Sequence, residues 1–194
     1  VLAMQKLAEQ QGAAFHFNHN VEKINAGNGN INSLIINGLK YEFDAVIASC
    51  DYHHTELLLD ENFRNYTEEY WREKTFAPSC LIYYLGFKEK IPGLRHHTLF
   101  FENAFDKHID AIYGDRRWPE NPLFYCCCPS KTDASVAPEN HENLFLLMPL
   151  AMGLSDDENI RKKYLTEMIN RIAKQTGVHN LMDKIDYQRS YCVS

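Results

Sequence analysis

The sequence predicts an α/β protein of the α+β kind: a partial layer of hairpin strands first, then a domain built on a mixed or antiparallel sheet covered by helices. Three observations carry this reading. An Asn37-Gly38 pair separates two alternating apolar segments, and Asn-Gly is the strongest short-range signal for a two-residue hairpin. From Pro78 onward the texture changes to long aromatic and aliphatic runs bounded by turn residues, the pattern of strands. Near the end, Leu165, Met168, Ile169 and Ile172 recur at helical spacing, as one buried stripe of a long helix requires.

In chain order, Val1–Gln11 reads as a helix with Leu2 and Leu7 on one side, stopped by Gly12. Ala14–Asn18 and Val21–Asn25 are expected to be short strands, 26–30 a turn, and Ile31–Ile36 a strand that the hairpin returns through Tyr41–Phe43. Ala45-Val46-Ile47-Ala48 is a short continuous apolar run, which predicts a buried strand, and Asp51 is placed to cap a helix reaching Leu59. Asn65 with Glu68 three residues later predicts a capping box and a helix to about Lys74. A domain boundary is expected near residue 75. Beyond it, strands are predicted at Cys80–Phe87, Thr98–Phe101, Leu123–Cys128 and Asn143–Met148, with a helix over Ala104–Tyr113 and a polar loop from Pro129 to Asn143. Ser155 and Glu158 form a second predicted capping box for the long helix, which Gly177 ends.

Composition excludes several classes of function. The net charge is −6 and no Lys/Arg-rich run exists, so nucleic acid is not an expected partner. The longest apolar run, Leu144–Leu150, is far too short to span a bilayer, and the opening residues do not read as a signal peptide. Val1 stands inside an apparently uncapped helix, so the chain is expected to be an internal piece of a longer protein. The six cysteines include the consecutive Cys126-Cys127-Cys128, a poor disulfide framework because strand neighbours point to opposite faces; they read as small hydrophobes in a reducing compartment.

No motif announces chemistry unaided. Gly27-Asn28-Gly29 lacks a third glycine and sits between hairpin strands, so it reads as a turn. His16 and His19, His53-His54 and His96-His97 have neither the i, i+2 spacing of a strand pair nor the i, i+4 spacing of a helical one, and no metal site is expected. Asp156-Asp157-Glu158 suits the first turn of a helix. The aromatic runs are compatible with a pocket for a long apolar ligand and equally with an ordinary sheet core.

Two stretches resemble the bacterial phytoene dehydrogenase family, the carotenoid desaturases with a glutathione-reductase-like flavoprotein fold. One is Val21-Glu22-Lys23-Ile24 with the later Phe43–Asp51. The other, more specific, comprises Ser79–Lys88, His96-His97-Thr98, the run Pro129–Pro138 (PSKTDASVAP) and Leu147-Met148-Pro149. The sequence departs at Ala134, where the family usually carries proline, and at the cysteines before Pro129. The resemblance implies FAD, with Val21, Glu22, Ser49, Cys50 and Asp51 beside it, and a long isoprenoid or carotenoid substrate, with Tyr83, Tyr84, Phe100 and Phe101 as channel candidates. It implies that residues 1–75 are the inner part of an FAD domain, 76–182 a substrate domain and 183–194 a strand returning toward the FAD domain. It also implies a cytoplasmic protein docked peripherally on the inner membrane face, with the present piece inactive alone. It assigns no catalytic residue, no electron acceptor and no oligomeric state. A carotenoid isomerase, a desaturase of a shorter C30 precursor and a non-catalytic lipid-binding module are the competing expectations.

Overall fold

In the computed structural model, which describes residues 1–192, Asn37 (φ 47°) and Gly38 (φ 76°) both adopt the left-handed backbone that a tight hairpin demands. The turn joins β2 (Asn30–Ile36) to β3 (Leu39–Glu42), and β1 (Val21–Gly27) pairs with the other edge of β2 to give a three-stranded antiparallel sheet. This sheet belongs to one compact unit, Val1–Thr75; a second unit begins at Phe76.

The first unit also holds α1 (Leu2–Gln10), α2 (Tyr52–Leu57) and α3 (Glu68–Glu73). Asp51 caps α2 as expected, its carboxylate accepting from the His54 N–H at 3.0 Å. Buried Glu56 joins α2 to α3 by accepting from the Asn65 N–H (2.7 Å) and the Trp71 indole N–H (3.0 Å). That arrangement overturns one expected cap. Asn65 is occupied by Glu56 and by the Tyr52 hydroxyl (2.8 Å), and Thr67, immediately before the helix, accepts from the Tyr70 N–H instead.

Two expected strands do not form. Ala14–Asn18 is irregular, because Asn18 turns into the left-handed region (φ 58°) and interrupts any extended run. Ala45–Ala48 is neither strand nor buried: Ile47 is 95% exposed. A buried strand exists only by virtue of paired neighbours, and none of the described strands lies beside this segment.

The second unit is organised by a five-stranded antiparallel sheet in the order β5-β6-β7-β4-β8. Its strands are β4 (Ser79–Phe87), β5 (His97–Phe100), β6 (Phe124–Cys127), β7 (Glu142–Leu150) and β8 (Ile185–Tyr191), with α4 (Phe105–Tyr113) and α5 (Glu158–Thr176) between them. β8 adds to the edge of β4, so residues 185–191 are part of this sheet; Val193 and Ser194, the end of the expected returning strand, lie outside the described residues. Side chains alternate strictly between faces. Leu81, Tyr83, Leu85 and Phe87 of β4, with Leu144, Leu146 and Met148 of β7, form one buried cluster with Leu165, Met168, Ile169 and Ile172 of α5. Truncating any of these leucines, isoleucines or methionine to alanine removes about 2–5 kcal/mol.

The helix α5 is capped two residues later than expected: Asp157, not Ser155, accepts from the Ile160 N–H (2.8 Å). Asp156 is instead paired with Arg161, whose guanidinium also donates to the Ser190 carbonyl of β8 at 3.3 Å, so the helix start is tied to the edge strand. Gly177 closes the helix at φ +70°.

Two buried polar groups hold the connections. Glu142 is 2% exposed, pairs with Lys131 at 2.7 Å and accepts from the Ile91 N–H at 3.0 Å, fixing the turn Pro129–Lys131 to the start of β7. Breaking one side of a buried pair leaves an uncompensated charge, so Glu142→Ala is expected to destabilise the second unit by about 3–5 kcal/mol, read from the urea unfolding midpoint; a loss under about 1 kcal/mol would contradict the role. His108 bridges the Pro149 carbonyl through Nε2 (2.9 Å) and accepts from the Leu123 N–H through Nδ1 (2.8 Å), a pattern that only the neutral ring satisfies. Burial lowers its pKa, opposed by the bond to Pro149. The unfolded chain therefore takes up this proton first as pH falls: the stability is complete above about pH 6.5 and declines below it toward the folded-state value. Urea midpoints should fall across that window and do so less steeply in His108→Gln; equal slopes would refute the assignment.

Candidate functional site

The strand alternation that fills the core under α5 leaves the opposite face of the same sheet uncovered by it. Ile82 and Tyr84 of β4, Phe145 and Leu147 of β7, Tyr125 of β6 and Leu99 of β5 project there, in register as Tyr84–Phe145 and Ile82–Leu147–Tyr125–Leu99. Tyr191 of β8 stands opposite Ile82 on the other side. Ring centroids lie 5.3 Å apart for Tyr84–Phe145, 6.1 Å for Tyr84–Tyr191 and 6.3 Å for Tyr125–Phe145, giving a continuous aromatic strip. Tyr84 (45%), Leu99 (62%) and Tyr191 (46%) are exposed, more than an isolated surface aromatic explains.

One end of the strip deepens into a groove of about 360 Å³. Tyr84, Gly86 and Tyr187 form its sheet side, and Val136, Ala137 and Pro138 line it from the loop that Glu142 and Lys131 anchor. Asp133 holds that loop by accepting from the Ser135 N–H (2.8 Å) and hydroxyl (2.6 Å), bonds that lower its pKa, and Asn143 donates to the Val136 carbonyl (3.3 Å). The residue type at 86 matters. A Cβ there would stand 3.0 Å from Asp186 Oδ1 and 3.1 Å from the Tyr187 Cβ.

The four channel candidates divide by strand parity. Tyr84 is on the open face and Phe101, 52% exposed, lies just past β5. Tyr83 and Phe100 are corrections: both are in the core on the α5 side. Tyr83 is 0% exposed with its hydroxyl donating to the Arg161 carbonyl (2.5 Å), and Phe100 stacks on Phe124 at 4.4 Å, so neither can line an open channel. Leu99, Tyr125, Phe145 and Leu147 belong to the aromatic and aliphatic runs that the sequence offers as a pocket lining or a sheet core; the odd–even parity of β5 to β7 separates them from their buried neighbours once the buried face is fixed.

In the first unit, Val21 opens edge strand β1 half-buried, and a register shift between Val21 and Lys23 bulges the strand at Glu22. Glu22 is exposed, its carboxylate accepting from the Gly38 N–H at 3.2 Å. Ser49, Cys50 and Asp51 are all exposed; the Cys50 sulfur lies 3.1 Å from the Thr55 hydroxyl, and Asp51 is engaged as the α2 cap. Val21–Glu22 and Ser49–Asp51 present an open surface rather than a cleft.

A third arrangement was hidden by sequence spacing. His97 pairs directly with Cys127 in the β5–β6 register, and His96, just before β5, swings its ring to 4.2 Å from that of His97. Tyr125, on the same face, bonds to His97 Nδ1 at 2.5 Å, and Thr132 bonds to His96 Nδ1 at 2.6 Å. The Tyr125 hydroxyl is pushed up to about 12, first by its hydrogen bond with the Cys127 side chain and then by burial. Cys126 and Cys128 point the other way and are buried as expected, burial pushing the Cys128 thiol up to about 11.

A family model described as flavin containing amine oxidoreductase matches residues 3–194, and the chain belongs to that family. Within it, the chain is similar to the carotenoid desaturases. It is 38% identical over 97% of its length to a carotenoid 3,4-desaturase of Haloarcula japonica, and 33% identical over 76% to a zeta-carotene-forming phytoene desaturase of Myxococcus xanthus. A phytoene desaturase of Phycomyces blakesleeanus is 26% identical over 93%. The chain spans 38%, 28% and 32% of these relatives, respectively. A crystal structure of an oxidoreductase from Methanosarcina mazei shares the fold, with a TM-score of 0.58 at 15% identity, covering 97% of this chain and 40% of that one.

Gly86→Val should crowd Tyr187 and narrow the groove, costing about 1–3 kcal/mol, measured as a lower urea midpoint. A midpoint equal to that of the unaltered chain would show that the sheet edge yields freely there.

Proposed function

We propose that this chain supplies the substrate-bearing part, and one side of the cofactor site, of an FAD-dependent carotenoid desaturase. The observation that carries this reading is the open aromatic strip from Leu99 to Tyr191 with its groove beside Val136–Pro138. An acyclic polyene precursor offers no charge and no hydrogen-bonding group, so a protein can hold it only by apolar contact and shape. A strip running across five strands, each about 4.8 Å from the next, spans roughly 20 Å, a length suited to a long isoprenoid.

FAD, when bound, supplies the acceptor for a hydride leaving one substrate carbon while a proton leaves its neighbour. The residues of this chain contribute position and dryness. Tyr84, Phe145 and Tyr125 present ring faces to a flat polyene, while Ile82 and Leu147 fill the spaces between them. Val21–Glu22 and Ser49–Asp51 are assigned to the cofactor's periphery, the first unit to the inner part of an FAD domain and residues 76–182 to the substrate domain. The described residues contain no helix long and apolar enough to cross a membrane. A bilayer-held hydrocarbon must nevertheless reach the strip, which supports peripheral docking on the cytoplasmic membrane face.

The test uses the longer parent protein co-expressed with a phytoene source, with product absorption as the readout. Leu147→Asp and Tyr84→Asp place a charge on the strip without touching the α5 core, and each should cut coloured product at least tenfold with the circular dichroism unchanged. Undiminished product in both would remove the strip from the substrate path; unaltered phytoene with the parent itself would overturn the desaturase reading.

A further inference from the structure

We infer that His96, His97 and Cys127 form a three-ligand site for a borderline divalent cation, zinc being the ion assigned. One ligand atom from each residue lies within 4.8 Å of the others. Ligands sharing a tetrahedral zinc stand roughly 3.5 Å apart at ordinary Zn–N and Zn–S lengths, so closure requires a shift of about an ångström in side chains that are exposed or half-buried.

The hydrogen bonds around the rings already select the tautomers that a metal needs. The Thr132 hydroxyl donates onward to the Pro129 carbonyl (3.4 Å), so it accepts from His96 Nδ1–H and leaves Nε2 with a free lone pair. The Tyr125 hydroxyl engages His97 at Nδ1 (2.5 Å), which turns Nε2 of that ring away from Tyr125. Each imidazole is thus oriented by a hydroxyl at its Nδ1, the supporting shell that metal-bound histidines use. Two imidazoles and one thiolate suit zinc, which tolerates irregular geometry because its filled d shell imposes none, and three protein ligands leave a fourth position open. Binding exchanges the Cys127 thiol proton for the Zn–S bond, the proton passing to solvent.

Such an ion would clip edge strand β5 to β6 and, through Thr132, to the loop that lines the groove. The fold brings these residues together although their sequence spacing does not: His96 escapes the strand alternation because it precedes β5, where its carbonyl accepts from the Cys128 N–H (2.7 Å).

The untagged chain, equilibrated with zinc and then dialysed, should retain one equivalent by elemental analysis. Cobalt(II) in its place should give a thiolate-to-cobalt charge-transfer band. Cys127→Ser and His96→Gln should each lose both signals with unchanged circular dichroism, Tyr125→Phe should weaken cobalt affinity about 10–100-fold, and His179→Gln, at an exposed position, should leave both signals unchanged. Failure of the chain to retain zinc, or a charge-transfer band that survives in Cys127→Ser, overturns the site.

Discussion

Everything in the second unit depends on α5 burying one face of a five-stranded sheet. The stripe Leu165, Met168, Ile169 and Ile172 takes every second residue of β4 and β7, and once those are fixed the pleat fixes the rest. A one-residue slip would bury Tyr84 and Phe145 and expose Tyr83 and Leu146. The open aromatic strip is therefore the other half of the core pattern: the face that the helix leaves over. Fold stability and the open strip are set by the same register.

The polar contacts are placed where that pattern cannot reach. Glu142 begins β7 on the buried face, so its carboxylate must be answered, and Lys131 with the Ile91 N–H answers it. The consequence is that the Pro129–Pro138 run is clamped against the sheet at one end and forms the wall of the groove at the other. Arg161 plays a comparable part for β8, joining the start of α5 to the strand that carries Tyr187 and Tyr191. The first unit contrasts with this. Its core is small, with Ile24 and Leu34 buried, and Leu2, Met4, Phe17 and Ile47 are exposed. The chain belongs to a family of flavin containing amine oxidoreductases and spans 38% of the length of the Haloarcula relative.

Much was legible from local chemistry. The Asn37-Gly38 turn, the Asp51 cap, the Gly177 stop, the long strands and the stripe of α5 follow from φ preferences and periodicity, which act within a few residues and so are written into short segments. Non-local competition explains the failures. Asn65 is a good cap by type, but Glu56 and Tyr52 claim it, and Asp157 displaces Ser155 because it stands adjacent to the first turn. Ala45–Ala48 has the composition of a buried strand and no strand beside it among the described residues.

For the site, the sequence by itself determined the family, through ordered motifs from Ser79 to Pro149, and it left the aromatic runs open between a pocket wall and an ordinary sheet core. It could not decide which of Tyr83 and Tyr84, or of Leu99 and Phe100, faces outward, because period-two alternation specifies two faces without saying which one a helix will cover. Only the packing of α5 resolved that choice. Nor could spacing reveal that His96, His97 and Cys127 meet. Their proximity is a property of the β5–β6 register, which pairs residues thirty positions apart, and of a backbone turn that brings His96 beside His97.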